Sequence, residues 1–279
     1  VHRKACYCER SEQQPSILSI PIYMPKNIVK SASLAYNIHT NPKEVLYKMK
    51  DTKHKILTLA ALTTIAAGVI HLTNRVIVAS SQLKEMLDFS NHNYYNWRFG
   101  KIYYTKKGKG SPLLLIHDTM PGASGYEWSR VEDQLAQEHT VYTLDLLGCG
   151  RSEKAGNFLF VQIICDFIKN VIKEKTDIIA SGFSCSFVTT AAAYDKESIN
   201  KIMFINPVSM ISLAQTTTKK DKLFKFFIEL PIFGTFIYHI IVSRETINDF
   251  FLDKLYYNPF HVDKDVLDAY YEAAHKGGY

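Results

Sequence analysis

The sequence predicts an α/β protein: a doubly wound, mostly parallel sheet, followed by a run of helices and preceded by an apolar helix. Three observations carry this. Between residues 97 and 207, short runs of β-forming apolar residues alternate with stretches of helical periodicity, an order that sets helices on both faces of a parallel sheet. After Pro207 the pattern turns helical. Ahead of all this, Ile56 to Asn74 runs for 19 residues without Asp, Glu, Lys or Arg.

In chain order, residues 1–48 show no lasting periodicity and are broken by Pro15, Pro21, Pro25 and Pro42; they read as disorder or as an extension ahead of a natural start at Met49. As a helix, residues 56–74 cover roughly 28 Å, close to the hydrocarbon thickness of a bilayer. Lys48, Lys50, Lys53 and Lys55 precede the run and Arg75 alone follows it directly. That bias leaves the N-terminus in the cytoplasm and the rest of the chain on the extracytoplasmic side. A membrane anchor fits best; a cleaved signal peptide ending near Ala79 and a buried helix are the alternatives. Beyond a polar linker (Ser80 to Asn96), strand signals fall at Lys101 to Thr105, Leu113 to His117, Val141 to Leu144, Asp177 to Ala180 and Ile202 to Ile205. Helical stretches separate them: Tyr126 to Gln137, a stripe of Phe160, Ile163, Ile164, Phe167 and Val171, and Ser186 to Tyr194. Four more helices are expected at Lys219 to Leu230, Gly234 to Val242, Glu245 to Tyr256 and Lys264 to His275.

Composition narrows the function. Of 33 basic and 27 acidic residues in 279, ten basic and four acidic lie in the first 55, leaving 23 of each sign in the rest. A neutral body lacks the basic face that nucleic-acid binding needs. Five cysteines at unrelated spacings, with Cys6 and Cys8 unmatched by a second Cys/His pair, suggest neither a disulfide framework nor a zinc site. No metal or organic cofactor is implied.

In such a sheet, reactive groups belong at the carboxyl ends of strands. Three of these ends are distinctive: His117-Asp118-Thr119-Met120-Pro121-Gly122, Asp145-Leu146-Leu147-Gly148-Cys149-Gly150-Arg151-Ser152, and Ser181-Gly182-Phe183-Ser184-Cys185-Ser186. A nucleophile on a sharp strand-to-helix turn needs small residues two before and two after it. Gly182 and Ser186 meet that need around Ser184, whereas Cys185 would be flanked by Phe183 and Phe187, and Ser186 by Ser184 and Val188. The N–H of Cys185, at a helix start, then favours an oxyanion. The bland reading of Ser184 is a helix N-cap. Gly148-x-Gly150 lacks the third glycine of a dinucleotide fingerprint, Glu153 standing there.

Taken together, residues 97–207 resemble the first six strands of the α/β-hydrolase core: HDTMPG is similar to the family's His-Gly oxyanion loop, DLLGCGRS to its D-x-x-G-x-G-x-S turn, and GFSCS to its G-x-S-x-G elbow. The resemblance implies Ser184 as nucleophile, the backbone N–H groups of Thr119 and Cys185 as oxyanion hole, and Asp145, Gly148, Gly150 and Ser152 as a structural turn. It also implies a helical cap over 208–279. Asp118 replaces the usual glycine of the first motif and Ser186 the second glycine of the third.

A serine of this kind needs a histidine and an orienting carboxylate. After Pro207 no strand followed by an acidic turn is found; His239, His261, His275, Asp263, Asp265 and Asp268 read as cap or surface residues, and the chain as incomplete at its C-terminus, leaving an unpaired apolar sheet edge. The apolar cap set Leu223, Phe224, Phe226, Phe227, Ile232, Phe233, Phe236, Ile237, Ile240 and Ile241 packs on the core, lines a substrate pocket or meets the bilayer. The expectation is a membrane-anchored serine hydrolase that cleaves an ester or related bond of a small apolar substrate through an acyl-enzyme, inactive as this truncated chain. The rival is a non-catalytic binding or scaffold protein.

Overall fold

The computed structural model describes residues 42–87, 93–154, 159–208, 216–256, 258 and 262–276. It divides into two units, residues 1–61 and 62–279. In the first, the described residues form the front of helix α1 (Pro42–Ser81), with Lys55 paired to Asp51 at 2.7 Å. The helix is longer at both ends than the run expected at 56–74. One span within it, Lys50–Ser81, is long and apolar enough to cross a membrane, and Ile65, Val69 and Leu72 are exposed.

The second unit is built on six strands: β1 (Tyr94–Trp97), β2 (Gly100–Lys107), β3 (Ser111–Ile116), β4 (His139–Leu144), β5 (Thr176–Ser181) and β6 (Ile199–Ile205). Their order is β1-β2-β4-β3-β5-β6. The β1–β2 and β2–β4 pairs are antiparallel, and β4–β3, β3–β5 and β5–β6 are parallel. The chain steps from β3 to β4 on one side and returns to lay β5 on the other. This makes β3 the switch point, and in sheets of this kind ligands bind beyond the strand ends at such a point.

Strand β3 shows why the middle of the sheet is legible as an unbroken apolar run. Alternate side chains leave opposite faces: Leu114 and Ile116 join Ile163, Ile164 and Phe167 of α3 (Phe160–Phe167) and Val188 of α4 (Ser184–Tyr194), while Leu113 and Leu115 pack with Trp128 and Val141. The helix expected at Tyr126 to Gln137 is instead a 3-10 turn (Gly125–Trp128) and a short α2 (Glu132–Leu135). Glu132 is the reason for the break. Its Oε1 accepts from Thr105 and Thr143 hydroxyls, each at 2.7 Å, and Lys107 pairs with Oε2 at 2.6 Å, which ties the segment down onto β2 and β4.

The cap comprises α5 (Lys219–Ile228), α6 (Phe233–Ile241), α7 (Arg244–Phe250) and α8 (Lys264–His275). Helices α5 and α6 meet at 113°. On α5, Leu223, Phe224, Phe226 and Phe227 are exposed rather than packed on the core. Along β6, whose described partner is β5, Met203, Phe204 and Ile205 are exposed as well. Helix α8 is the buried element of the cap. Val266, Tyr270, Tyr271 and Ala274 close on Ala123, Val242, Ile247 and Phe251, and Glu272 Oε2 accepts the Met86 N–H at 2.7 Å. Lys84 and Arg244 both pair with buried Asp268.

Candidate active site

The carboxyl ends of β3 and β5 meet at the switch point. Leaving β3, His117 is fully buried, and its Nε2 accepts from the Leu146 N–H at 2.9 Å. An accepting Nε2 leaves the proton on Nδ1, which donates to the Asp118 carbonyl. The imidazole is therefore spent on holding two loops together. Asp118 follows, its N–H donating to Glu127 Oε2 at 3.0 Å.

Leaving β5, the chain bends at Gly182, which has φ +53°, in the left-handed region that glycine enters without steric cost. The Gly182 N–H donates to the Ile205 carbonyl at 3.0 Å, fixing the bend against the end of β6. Phe183 caps α4 and Ser184 is the helix's first residue. Ser184 is fully buried, and its Oγ donates to the His117 carbonyl at 2.6 Å. The sequence reading centred the sharp turn on Ser184; the bend lies two residues earlier.

That offset bears on which amides meet at the bend. The amide that shares an acceptor with that of Thr119 is the one of Phe183; Cys185 lies two residues further into α4, with its thiol donating to the Ala180 carbonyl at 3.3 Å. Thr119 N–H and Phe183 N–H point at one atom, Asp118 Oδ1, at 2.7 and 2.8 Å. A β-carbon at position 182 would stand 2.2 Å from Asp118 Cγ and Oδ2. The carboxylate thus fills the volume where a side chain on the bend would begin.

Around it lie further polar groups that sequence reasoning passed over. Burial pushes the Glu127 carboxyl up, opposed by the Ser181 hydroxyl and His117 and reinforced by the charge of Asp118. Tyr270, reaching in from α8, is pushed well above the ordinary phenol value by burial and by the charges of Glu127 and Asp118. In the sequence, Asp118 stands out only as a replacement for glycine. A sign of its role was available, since glycine at 182 is the residue that leaves room for another side chain.

The Asp145 turn is a structural device. Burial alone would raise the Asp145 carboxyl, yet the Arg151 guanidinium holds it below its usual value. Arg151 Nε and N–H each reach Oδ2 at 2.8 Å, and the Gly125 N–H reaches Oδ1 at 2.6 Å. Ser152 Oγ donates to the Asp145 carbonyl at 2.6 Å and accepts the Tyr103 N–H at 2.8 Å. Gly150 (φ +48°) crosses so near that a β-carbon would sit 2.4 Å from Asp145 Oδ2.

Among the described residues, no imidazole or carboxylate bonds Ser184. His239 and His275 stack on each other, ring centroids 4.8 Å apart, between α6 and α8. Asp263 caps α8, accepting the Asp265 N–H at 2.9 Å. His261, Cys6 and Cys8 lie outside the described residues.

Residues 112–227 match the family model described as alpha/beta hydrolase fold. A pimeloyl-[acyl-carrier protein] methyl ester esterase of Aliivibrio fischeri (strain MJ11) is 27% identical over 106 residues, 37% of this chain and 39% of that protein. A soluble epoxide hydrolase of Corynebacterium sp. (strain C12) is 29% identical over 109 residues, 38% of this chain and 37% of that protein. The chain therefore matches about two-fifths of the length of these curated relatives. Among solved structures, the epoxide hydrolase CorEH superposes with a TM-score of 0.50 at 18% identity, covering 66% of this chain and 68% of that one. Cfl2 from Burkholderia cenocepacia gives the same four values. At such identities the likeness concerns the fold.

Proposed function

We propose, from the match of residues 112–227 to the alpha/beta hydrolase fold family model, that the chain is a hydrolase acting on an ester or related bond of a small, largely apolar substrate. The observation that carries the reading is the convergence of the β3 and β5 ends, with the amides of Thr119 and Phe183 aimed at one point, held here by Asp118 Oδ1. In its finer form, Ser184 Oγ attacks the carbonyl carbon and gives its proton to a general base that the described residues do not place beside it, the protonated alcohol leaves as the acyl-enzyme forms, and water releases the acid. Ser184 lies at the first turn of α4, where the helix dipole favours developing negative charge. For attack its hydroxyl has to leave the His117 carbonyl and face the crevice. The test is a fluorophosphonate probe on the full-length protein: covalent labelling that Ser184→Ala abolishes supports the serine route, and labelling unaffected by that change refutes it.

A second reading is favoured by two specific observations, the side-chain-free bend at Gly182 and the carboxylate already seated on both amides. It takes the chain as a binding or scaffold protein that keeps the sheet without the chemistry. Saturable binding of small apolar molecules with no labelling of the full-length protein would select it. In either case we propose that α1 anchors the chain in a membrane, with the sheet on the extracytoplasmic side. The basis is the exposed apolar length of α1 and the lysines ahead of it.

A further inference from the structure

Two backbone amides converging on one oxygen make an anion site wherever they occur. Here one comes from the loop after β3 and one from the cap of α4. The atom they hold is Oδ1 of Asp118, whose main chain is itself fixed by the 3.0 Å bond from its N–H to Glu127. Charge-assisted bonds of this kind are about twice as strong as neutral ones. The ligand is also tethered, so an external anion competes with a group at high effective concentration. Gly182 makes the arrangement possible, because any side chain there would overlap the carboxylate.

We infer that the Thr119–Phe183 cradle is a small-oxyanion site whose resident ligand is the protein's own Asp118 carboxylate, and that Asp118 decides what the crevice accepts. A free carboxylate meets both an occupied site and a like charge. An acyl substrate, whose carbonyl oxygen gathers negative charge during attack, has to displace Asp118 from both amides before it can be stabilised. The inference rests on the hydrolase reading only for turnover; occupancy of the cradle stands without it.

The experiment uses the full chain in detergent with selectively 15N-labelled threonine and phenylalanine, titrated with benzoate, a small apolar carboxylate. In the native protein the Thr119 and Phe183 amide signals are expected to stay put. In Asp118→Gly, and in Asp118→Ala as a second variant with circular dichroism to check folding, they should shift saturably, with affinity at least about tenfold higher, the factor that 1.4 kcal/mol represents. Asp118→Asn is the control that separates occupancy from charge. Its side-chain carbonyl still accepts both amides, so it should remain refractory. Unmoved amides in the folded Gly and Ala variants overturn the inference, as does native protein binding equally well or Asp118→Asn behaving like Asp118→Gly. Fluorophosphonate labelling of the same variants is read separately. Amide shifts without labelling would sink the serine route and leave the cradle intact, whereas labelling without shifts would do the reverse.

Discussion

Replacing Gly182 by alanine is the sharpest perturbation of this site, because two independent costs meet there. At φ +53° a β-carbon is strained by about 1–2 kcal/mol. The new atom would also fall 2.2 Å from Asp118 Cγ and Oδ2 and 2.5 Å from Oδ1, so the whole carboxylate has to leave. Leaving means giving up two hydrogen bonds from backbone amides, each with a net contribution of about 1–1.5 kcal/mol. The total expected for Gly182→Ala is about 3–5 kcal/mol, at the upper end of single-site effects. In an Asp118→Gly background the overlap disappears and only the backbone strain remains, so the cost of the same change should drop to about 1–2 kcal/mol. The difference, about 2–3 kcal/mol, is a coupling energy between positions 118 and 182 of the size direct contact produces. Urea unfolding of the four proteins in one detergent, followed by tryptophan fluorescence, measures it. A coupling below about 0.5 kcal/mol, the scatter of additive sites, would refute the claim that the carboxylate occupies the bend's side-chain volume.

Two further outcomes are expected. On α1, Ile65→Lys with Val69→Lys places two charges at exposed positions of the apolar span, at about 2.5–3.5 kcal/mol each in a bilayer centre. The native chain should stay in the pellet after alkaline carbonate washing and the variant should move to the supernatant; equal partitioning of both would argue against an anchor. The stacked imidazoles give an acid sensitivity: burial pulls His239 down to about 4 and also lowers His275, which lies against Tyr238 and Tyr271 and is lowered further by the charge of Arg244. Folded values below the unfolded ~6.5 mean full stability above that pH and a loss as pH falls towards 4, about 1–2 kcal/mol by pH 5. His239→Phe should flatten the thermal midpoint between pH 7 and 5, and an unchanged slope would remove the pair as its source.

Much of the fold is legible in the sequence because the central strands need apolar side chains on both faces. Leu113 to Ile116 serves two packed layers at once, and no other use of such a run competes in a segment so short. Strand β1 was not legible. Its four residues, Tyr94–Trp97, sit in a polar stretch and are held by pairing with β2 and by the Trp97 Nε1 bond to Asp166 at 2.8 Å, neither of which leaves a local periodicity. The broken helix near Glu132 has the same origin, a side chain pulled out of helical register by partners on β2 and β4.

The site differs from its sequence reading by a two-residue phase, and the phase has a physical cause. The small-residue rule around a tight bend is met by Gly182 and Ser186 about Ser184, and equally by Ala180 and Ser184 about Gly182. A rule about neighbours cannot choose between centres two apart when every second residue is small. The choice is made by where β5 stops pairing: Ser181 still registers with Ile205, and the Gly182 N–H takes the Ile205 carbonyl, so the bend has to follow at once. Once it falls on glycine, the bend carries no side chain, and the reactive volume is open to a residue 65 positions upstream of the amide it accepts from. Asp118 and Gly182 therefore act as one unit. A glycine replacing Asp118 would empty the cradle, a larger residue replacing Gly182 would evict the carboxylate, and either change alone should alter which anions the crevice admits.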